Sequence, residues 1–533
     1  MSGSRGPMGW HDLFGDPSHA RGFLALAVAV GAVMGVLALA PGAAVAVLVA
    51  VAIASAAAAL RLDLVAGALI VLVLLQDWLV GLGLELAQYG DEVLIVAGVL
   101  GIALRFAVTG RARRTPLDAP IAAFVAVGAV SAALRGVPLI VAALGTMSLL
   151  KGLLAFEIFA RARFSLREAE RGVALVLSLI VALAAIGVAQ RIGGLPIYAL
   201  TGRAAYYALW QGGKAPSLML NHNSLGHLCV LGGLLALGLA LAYTGIKSRR
   251  MAYAAAACLA GLVVSASRES WLATAAALPA GAYVMRSRRL WRLAAVIALL
   301  LVLATAAVYL ASPLLREEIV RRSAGVVEGL RAYVMGYRDW GYRGEYRVYV
   351  LLKSLEVWRD HLWLGTGPGR FGGQVAMTYL SPVYEQYRFL PLRGEYHPLD
   401  VFWSRLLTEF GILGSLAYAW AMVAAAGVHL RARSAHRALS RGLGIGGWMA
   451  WVAVIVLGFF APVLEDPLVA VPFWGWAGLT WALARRGAAG DSGREPDDGE
   501  PLSAATIGRV SPATTGSAGA RPARQGACAM GAR

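Results

Sequence analysis

Apolar runs of about 20 residues, the length that spans a bilayer as a helix, recur along the whole chain. They centre near residues 31, 51, 70, 99, 125, 146, 180, 233, 258, 277, 301, 418, 454 and 474. This pattern predicts an all-α, polytopic integral membrane protein with about 12–14 transmembrane helices. The first run follows a polar start with no clear cleavage site and reads as a retained helix, not a signal peptide.

The polar breaks between the runs carry the topology. Arg111, Arg113 and Arg114 follow the fourth run, Arg161, Arg163 and Arg167 the sixth, and Lys247, Arg249 and Arg250 the eighth. Arg286, Arg288, Arg289 and Arg292 follow the tenth, and Arg431, Arg433, Arg437 and Arg441 the twelfth. The alternate breaks are poor in basic residues or acidic, as at Asp77, Glu85, Asp91 and Glu92. The positive-inside rule then places both termini in the cytoplasm. Four regions follow: N-terminal transmembrane helices over 1–311, a large outer loop over 312–396, C-terminal transmembrane helices over 397–486, and a disordered cytoplasmic tail over 487–533.

The long loop is basic, with Arg321, Arg322, Arg338, Arg343, Arg347, Arg370, Arg388 and Arg393. Loops of that length escape the charge rule, so the orientation stands. Within it, "EYRVYVLLKSLEVWRDHLW" repeats Val348, Leu351, Leu352, Leu355, Trp358 and Leu362 at helical spacing, which predicts an amphipathic helix along the membrane surface. Arg347 borders that stripe, where its stem lies on apolar surface and its head stays polar. "GTGPG", residues 365–369, ends the helix with turn chemistry. A second outer loop, about 193–220, holds Arg203, Tyr206, Tyr207, Trp210 and Lys214, a composition suited to the membrane interface.

Composition sharpens the class. The 533 residues are 59% hydrophobic and 15% charged, with mean hydropathy +0.66, which excludes a soluble globular domain. The net charge of +18 belongs to the basic loops of a membrane protein, so nucleic acid is not the implied partner. Cys229, Cys258 and Cys528 give neither a disulfide framework nor a metal motif, and no His, Asp and Glu cluster has metal-ligand spacing. "GTGPGRFG" follows no strand and opens no βαβ unit, so it is not a nucleotide loop.

Four polar clusters fall on the outer side. "LNHNSLGH", residues 220–227, opens the eighth run; Asn221 or Asn223 serves as a helix cap, or the stretch joins a site. "SASRES", residues 265–270, is a short hairpin where Arg268 runs against the charge rule. Arg343 and Arg347 lie in the long loop, either as lipid-headgroup contacts or as binding groups. "GEYHPLDVFWSRLLTEFGILGS", residues 394–415, sets His397 before a helix that Pro398 and Asp400 start, with Arg405 and Glu409 as an i,i+4 pair further in. Ionisable groups that deep are costly, and they mark a functional site or a buried pair holding the helix. Arginines and a histidine at a membrane boundary suit a ligand with a diphosphate head and a lipid tail. Arginine binds phosphate bidentately, and histidine accepts a proton from an attacking hydroxyl. No metal is required for that chemistry in principle.

These stretches, in order, also carry a resemblance. "LNHNSLGHLCVLGGLLAL", "VVSASRESWLATAAALPAG", "GEYRVYVLLKSLEVWRDHLWLGTGPGRFG" and "EYHPLDVFWSRLLTEFGILGSLAY" resemble the bacterial O-antigen ligase and O-antigen polymerase family of membrane glycosyltransferases over about residues 190–425. The chain departs from that pattern at Trp363 and Leu364, where a proline is frequent, and at Pro398 and Leu399, where an asparagine is common. The resemblance implies inverting transfer of a glycan from a polyprenyl-diphosphate lipid to an acceptor hydroxyl, on the outer face of the bacterial cytoplasmic membrane and without a cofactor. The acceptor is the lipid A core for a ligase, the reading favoured here, or another lipid-linked repeat unit for a polymerase. It implies that Arg268 and Arg347 bind the diphosphate, that His397 activates the acceptor, and that Glu409 gives structural support; the residues themselves add Arg343 as a further diphosphate-binding candidate and Asn223 and Arg405 as supporting ones. The rivals are an anion or lipid-glycan transporter, which predicts paired half-repeats and broken midplane helices, and a scaffold, which predicts dispensable arginines.

Overall fold

The computed structural model describes residues 54–109, 114–210, 213–288, 346–387 and 401–492, together with residue 51 and isolated positions between 290 and 335. The apolar runs centred near 31, 51 and 301 fall wholly or largely outside these residues. So do Arg343, the stretch 388–400 with His397, Pro398 and Asp400, and the chain beyond 492.

Among the described residues the structure is helical with no strand. The long helices are α1 (Leu62–Gly81), α2 (Gly90–Thr109), α3 (Asp118–Leu134), α4 (Leu139–Arg161) and α5 (Leu166–Gly193). Two short helices follow, α6 (Leu195–Leu200) and α7 (Ala204–Trp210), then α8 (His222–Ala242), α9 (Gly245–Ser265) and α10 (Arg268–Met285). In the long loop lie α11 (Tyr346–Asp360), α12 (Gln374–Thr378) and α13 (Pro382–Gln386). The bundle closes with α14 (Phe402–Ala432), α15 (Ala438–Leu457) and α16 (Pro467–Ser492). Eight of the described helices are long and apolar enough to cross a membrane, and α3, α9 and α10 account for three further predicted runs. The last helix runs six residues past the predicted boundary at 486, so the start of the presumed tail is helical.

Local sequence sets the helix ends. Ser165 and Glu168 form a reciprocal capping box that starts α5. Asn221 caps α8, its side chain accepting from the Ser224 amide at 2.9 Å, which resolves the choice between Asn221 and Asn223. Ala266 takes a left-handed conformation, φ +54, and turns the chain from α9 directly into α10.

The core sits on α8 and α16, where 78% of each apolar stretch is buried, against 22% for the stretch ending in α2. Helix α2 therefore lies at the edge, with Leu100, Leu104, Phe106 and Val108 facing outward where lipid would cover them. Small residues allow the central helices to approach closely. A Cβ on Gly238 of α8 would stand 2.3 Å from the Gly446 backbone nitrogen of α15, and one on Gly152 of α4 would stand 2.3 Å from the Trp474 ring of α16.

The bundle has two distinct ends. At one, Arg441 bonds the Ala242 carbonyl at 2.7 Å, Arg433 bonds the Val284 carbonyl, Arg161 pairs with Asp118 at 2.5 Å, and Arg486 bonds the Phe164 carbonyl. At the other end α11 packs on α14 and α12 on α4, and the segment between α11 and α12 reaches the turn after α3, where Arg370 donates to the Gly136 carbonyl at 3.0 Å.

Helix α11 forms where the periodicity predicts it, but a different face packs. Val350, Lys353, Ser354 and Val357 are buried, whereas Leu351 and Leu355 of the predicted stripe are 44% and 40% exposed. The buried lysine is satisfied, with Nζ 2.8 Å from Glu356 and 3.0 Å from the Tyr387 carbonyl. The packed face carries Lys353 and Ser354, whose side chains find partners within the loop and the helix, so apolar periodicity finds the helix and not its packed face.

Candidate functional site

The "SASRES" turn and the start of α8 meet. A Cβ on Gly226 would stand 2.6 Å from the Ser267 Cβ and 2.8 Å from the Ser270 Oγ, so the two helices cross in close contact here. Ser267 and Ser270 share a 2.7 Å hydrogen bond. Beside this crossing an open cavity of about 290 Å³ is lined by Lys214, His222, Asn223, Ala266, Arg268, Glu269, Leu272 and Phe460. Arg268 is the first residue of α10, where the left-handed turn at Ala266 presents it, exposed, to the cavity. Two clusters separate in sequence, those of Asn223 and Arg268, thus contribute to one wall.

A small aromatic group stands next to the cavity. Tyr206 Oη lies 2.6 Å from His222 Nδ1 and accepts from the His222 amide at 3.1 Å. Lys214 Nζ sits 3.5 Å above the Trp210 ring, a cation–π contact that holds its charge near the cavity. The loop carrying them is anchored by Arg203, which donates to the Leu218 carbonyl at 2.5 Å and to the Asp77 carbonyl at 3.3 Å. Asp77 in turn accepts from the Leu220 amide at 2.9 Å. Burial pushes the Arg203 guanidinium below its ordinary value, partly offset by Asp77.

Arg405 and Glu409 come together as the i,i+4 spacing predicts, at 3.4 Å, with side chains 1% and 0% exposed. Their surroundings explain the burial. Arg405 also pairs with Glu465, from the turn between α15 and α16, and donates to Ser148 Oγ of α4 at 2.9 Å. Glu409 Oε1 accepts from the Phe371 amide at 2.9 Å, just beyond the glycine-rich turn. That turn docks on α14, with the Thr366 amide bonding the Thr408 carbonyl at 2.9 Å and the Gly367 amide the Glu409 carbonyl at 3.0 Å. These bonds fall where α14 kinks at Gly411, φ +63. On its other side the turn is tied to α3 by Ser131 to the Leu364 carbonyl at 2.6 Å and to the following turn by Arg135 to the Gly365 carbonyl at 3.1 Å. Desolvation pushes the Glu465 carboxyl up, against the pull of Arg405, and raises its neighbour Asp466 to about 6.

Residues 253–419 match the family model described as O-antigen ligase. That match supports the O-antigen ligase family for this chain. It spans Arg268, Arg343, Arg347, His397, Arg405 and Glu409, whereas Asn223 and Lys214 precede it. No curated protein matches the chain. Within the O-antigen ligase match, Arg347 occupies the first turn of α11, while Arg343 and His397 lie outside the described residues.

Sequence reasoning missed three groups at this end. Glu465 completes the Arg405 cluster from a distant turn. Glu269, next to Arg268 in "SASRES", is 8% exposed and faces His227 Nε2 at 3.7 Å. Lys151, twelve residues into α4, binds Asp91 at 3.2 Å and Glu92 at 2.9 Å in the first turn of α2. The lone lysine in "MSLLKGLLAF" was the available signal, since an unpaired charge in an apolar run requires a partner.

Proposed function

We propose that this protein is an O-antigen ligase-type membrane glycosyltransferase acting on the outer face of the bacterial cytoplasmic membrane. It moves a glycan from a polyprenyl-diphosphate lipid to a hydroxyl of an acceptor glycolipid, the lipid A core. The observation that carries this reading is the cavity where Arg268 and Lys214 flank Asn223 at one end of a helical membrane bundle, within and beside the matched region.

In this reading the acceptor oxygen attacks the sugar carbon from the face opposite the diphosphate, and the configuration inverts. The carbon–oxygen bond to the diphosphate breaks, and its electron pair leaves on the diphosphate oxygen. The hydroxyl proton passes to the His397 imidazole. Arg268, Arg347 and Arg343 offset the charge that grows on the leaving group. Asn223 shapes the cavity wall, and Arg405 with Glu409 fixes the helix that follows His397. No metal is invoked.

The test is glycan transfer by single variants in membranes. R268A is expected to lose on the order of 10²–10³ in rate, the usual cost of one charge-stabilising donor, with R268K recovering part of it. H397A is expected to be inactive, and full activity in H397A would sink the catalytic assignment. Product size separates ligase from polymerase, since a polymerase yields a ladder and a ligase one transfer per acceptor. Counterflow of lipid-linked glycan in proteoliposomes, with no product formed, would favour a transporter instead.

A further inference from the structure

His222 lines the cavity together with Arg268, yet the mechanism above gives it no part. It is the first residue of α8, between the capping Asn221 and Asn223. Its two ring nitrogens are not equivalent. Nδ1 lies 2.6 Å from Tyr206 Oη of α7, whereas Nε2 has no hydrogen-bond partner among the described residues.

The surroundings of Tyr206 decide which nitrogen carries the hydrogen. A phenol has one hydrogen to donate and two lone pairs to accept with. Tyr206 Oη accepts from the His222 amide at 3.1 Å and from the Trp210 indole N–H. Both lone pairs are then taken, so the phenol hydrogen goes to Nδ1, the remaining neighbour. Nδ1 therefore accepts, the ring is neutral, and its one hydrogen sits on Nε2. Tyr206 and Trp210 are four residues apart on α7, which brings both to the same histidine. The indole also meets the imidazole edge to face, with ring centroids 5.6 Å apart. Helix α7 thus fixes both the orientation and the tautomer of a ring in the cavity wall.

We propose that His222 is a ligand-binding residue whose Nε2–H donates to a phosphoryl oxygen of the diphosphate, and that Tyr206 is the positioning residue that keeps the hydrogen on Nε2. This rests on the diphosphate reading above. An ionised phosphoryl oxygen only accepts. A bare Nε2 would turn a lone pair toward it and repel it, whereas Nε2–H makes a hydrogen bond to a charged acceptor. Arg268 contributes charge to the wall. His222 contributes direction, because an uncharged N–H on a clamped ring selects where one oxygen sits.

The experiment joins calorimetric titration of the full-length protein in detergent with farnesyl diphosphate to nitrogen NMR of the same protein labelled at histidine. The His222 signals are those missing from H222Q. Wild type is expected to show a neutral His222 protonated at Nε2, and Y206F a mixture of the two tautomers. The amide of an asparagine reaches only the Nδ1 position, so H222N is expected to weaken Kd roughly ten- to a hundredfold, the scale of one hydrogen bond to a charged group. The amide nitrogen of a glutamine reaches the Nε2 position, so H222Q is expected to recover most of that loss. A wild-type His222 protonated at Nδ1, or unchanged affinity in H222N beside a loss in R268A, would overturn the proposal for His222. A Y206F spectrum identical to that of wild type would remove Tyr206 as the positioning residue. Short-chain phosphatidylglycerol serves as the second probe. If it bound and lost as much affinity in H222N, the acceptor would be a lipid headgroup and the assignment to a diphosphate would fall. Undiminished binding of farnesyl diphosphate by R268A would instead overturn the diphosphate reading of the cavity, and no binding by wild type would overturn both.

Discussion

Arg405 holds a full charge at 1% exposure, between Glu409 and Glu465 and against Ser148. Removing the arginine strands two carboxylates where they cannot be hydrated. Breaking a buried pair in this way costs on the order of 3–5 kcal/mol, whereas replacing all members by apolar residues is often close to neutral. R405A is therefore expected to lower the thermal midpoint of the detergent-solubilised protein by several degrees or to abolish its accumulation. The triple variant R405M/E409M/E465M is expected to be more stable than R405A. A triple variant no better than the single would mean that the cluster acts through shape and not charge. Lysine at 405 should restore little, because it lacks the planar fork that reaches three partners at once. The i,i+4 half of this cluster was legible, since helix geometry dictates which residues four apart can meet. Glu465 and Ser148 were not, because they arrive from other helices, and nothing local in the chain ties them to Arg405. His397 and Arg268 stand apart here, since residue type and sidedness singled them out without any partner being known.

At the scale of elements, the glycine-rich turn shows how much a local pattern conceals. "GTGPG" was read as the end of an amphipathic helix, and α11 does end before it. The turn also locks the loop onto α14, its amides bonding carbonyls exposed at the Gly411 kink. Gly365 has φ +71, and a Cβ there would stand 2.4 Å from the Glu409 carbonyl carbon. Gly411 has φ +63, and a Cβ there would stand 2.4 Å from the Trp363 backbone. Neither position accepts a side chain without parting the turn from the helix. G365A and G411A are each expected to destabilise by roughly 1–3 kcal/mol, the usual cost of forced backbone strain, and to open the loop to limited proteolysis. G67A is the control, since nothing lies within 4 Å of a Cβ there. Proteolysis of G365A no faster than that of G67A would argue against the turn as the anchor. The helix stop was visible because glycine and proline punctuate sequence locally. The docking was invisible because its hydrogen bonds run between backbone groups some forty residues apart, which side-chain patterns do not encode.

Across the whole molecule, the two ends of the bundle differ in the kind of charge they hold. One collects Arg161, Arg433, Arg441 and Arg486, each bonded to an acid or to a backbone carbonyl of a helix end or turn. The other gathers both signs, with Asp77, Asp91, Glu269, Glu409 and Glu465 among Lys151, Arg203, Arg268 and Arg405. Net basic loops remain on the cytoplasmic side during insertion, so the first end is expected to face the cytoplasm and the cavity the outer phase. The reading from loop composition and the grouping seen in space agree, because parity along the chain forces alternate turns to one end of any up-down bundle. Single cysteines test the sidedness directly. Gln374 on α12 and His436 in the turn after α14 are both exposed, at opposite ends. Cys229 and Cys258 are buried, and Cys528 is removed as C528S. In intact spheroplasts a membrane-impermeant maleimide is expected to label Q374C and to reach H436C only after lysis. The reverse pattern would invert the protein in the membrane. The cavity with Arg268 would then face the cytoplasm, and transfer to an acceptor on the outer leaflet would be impossible from that site.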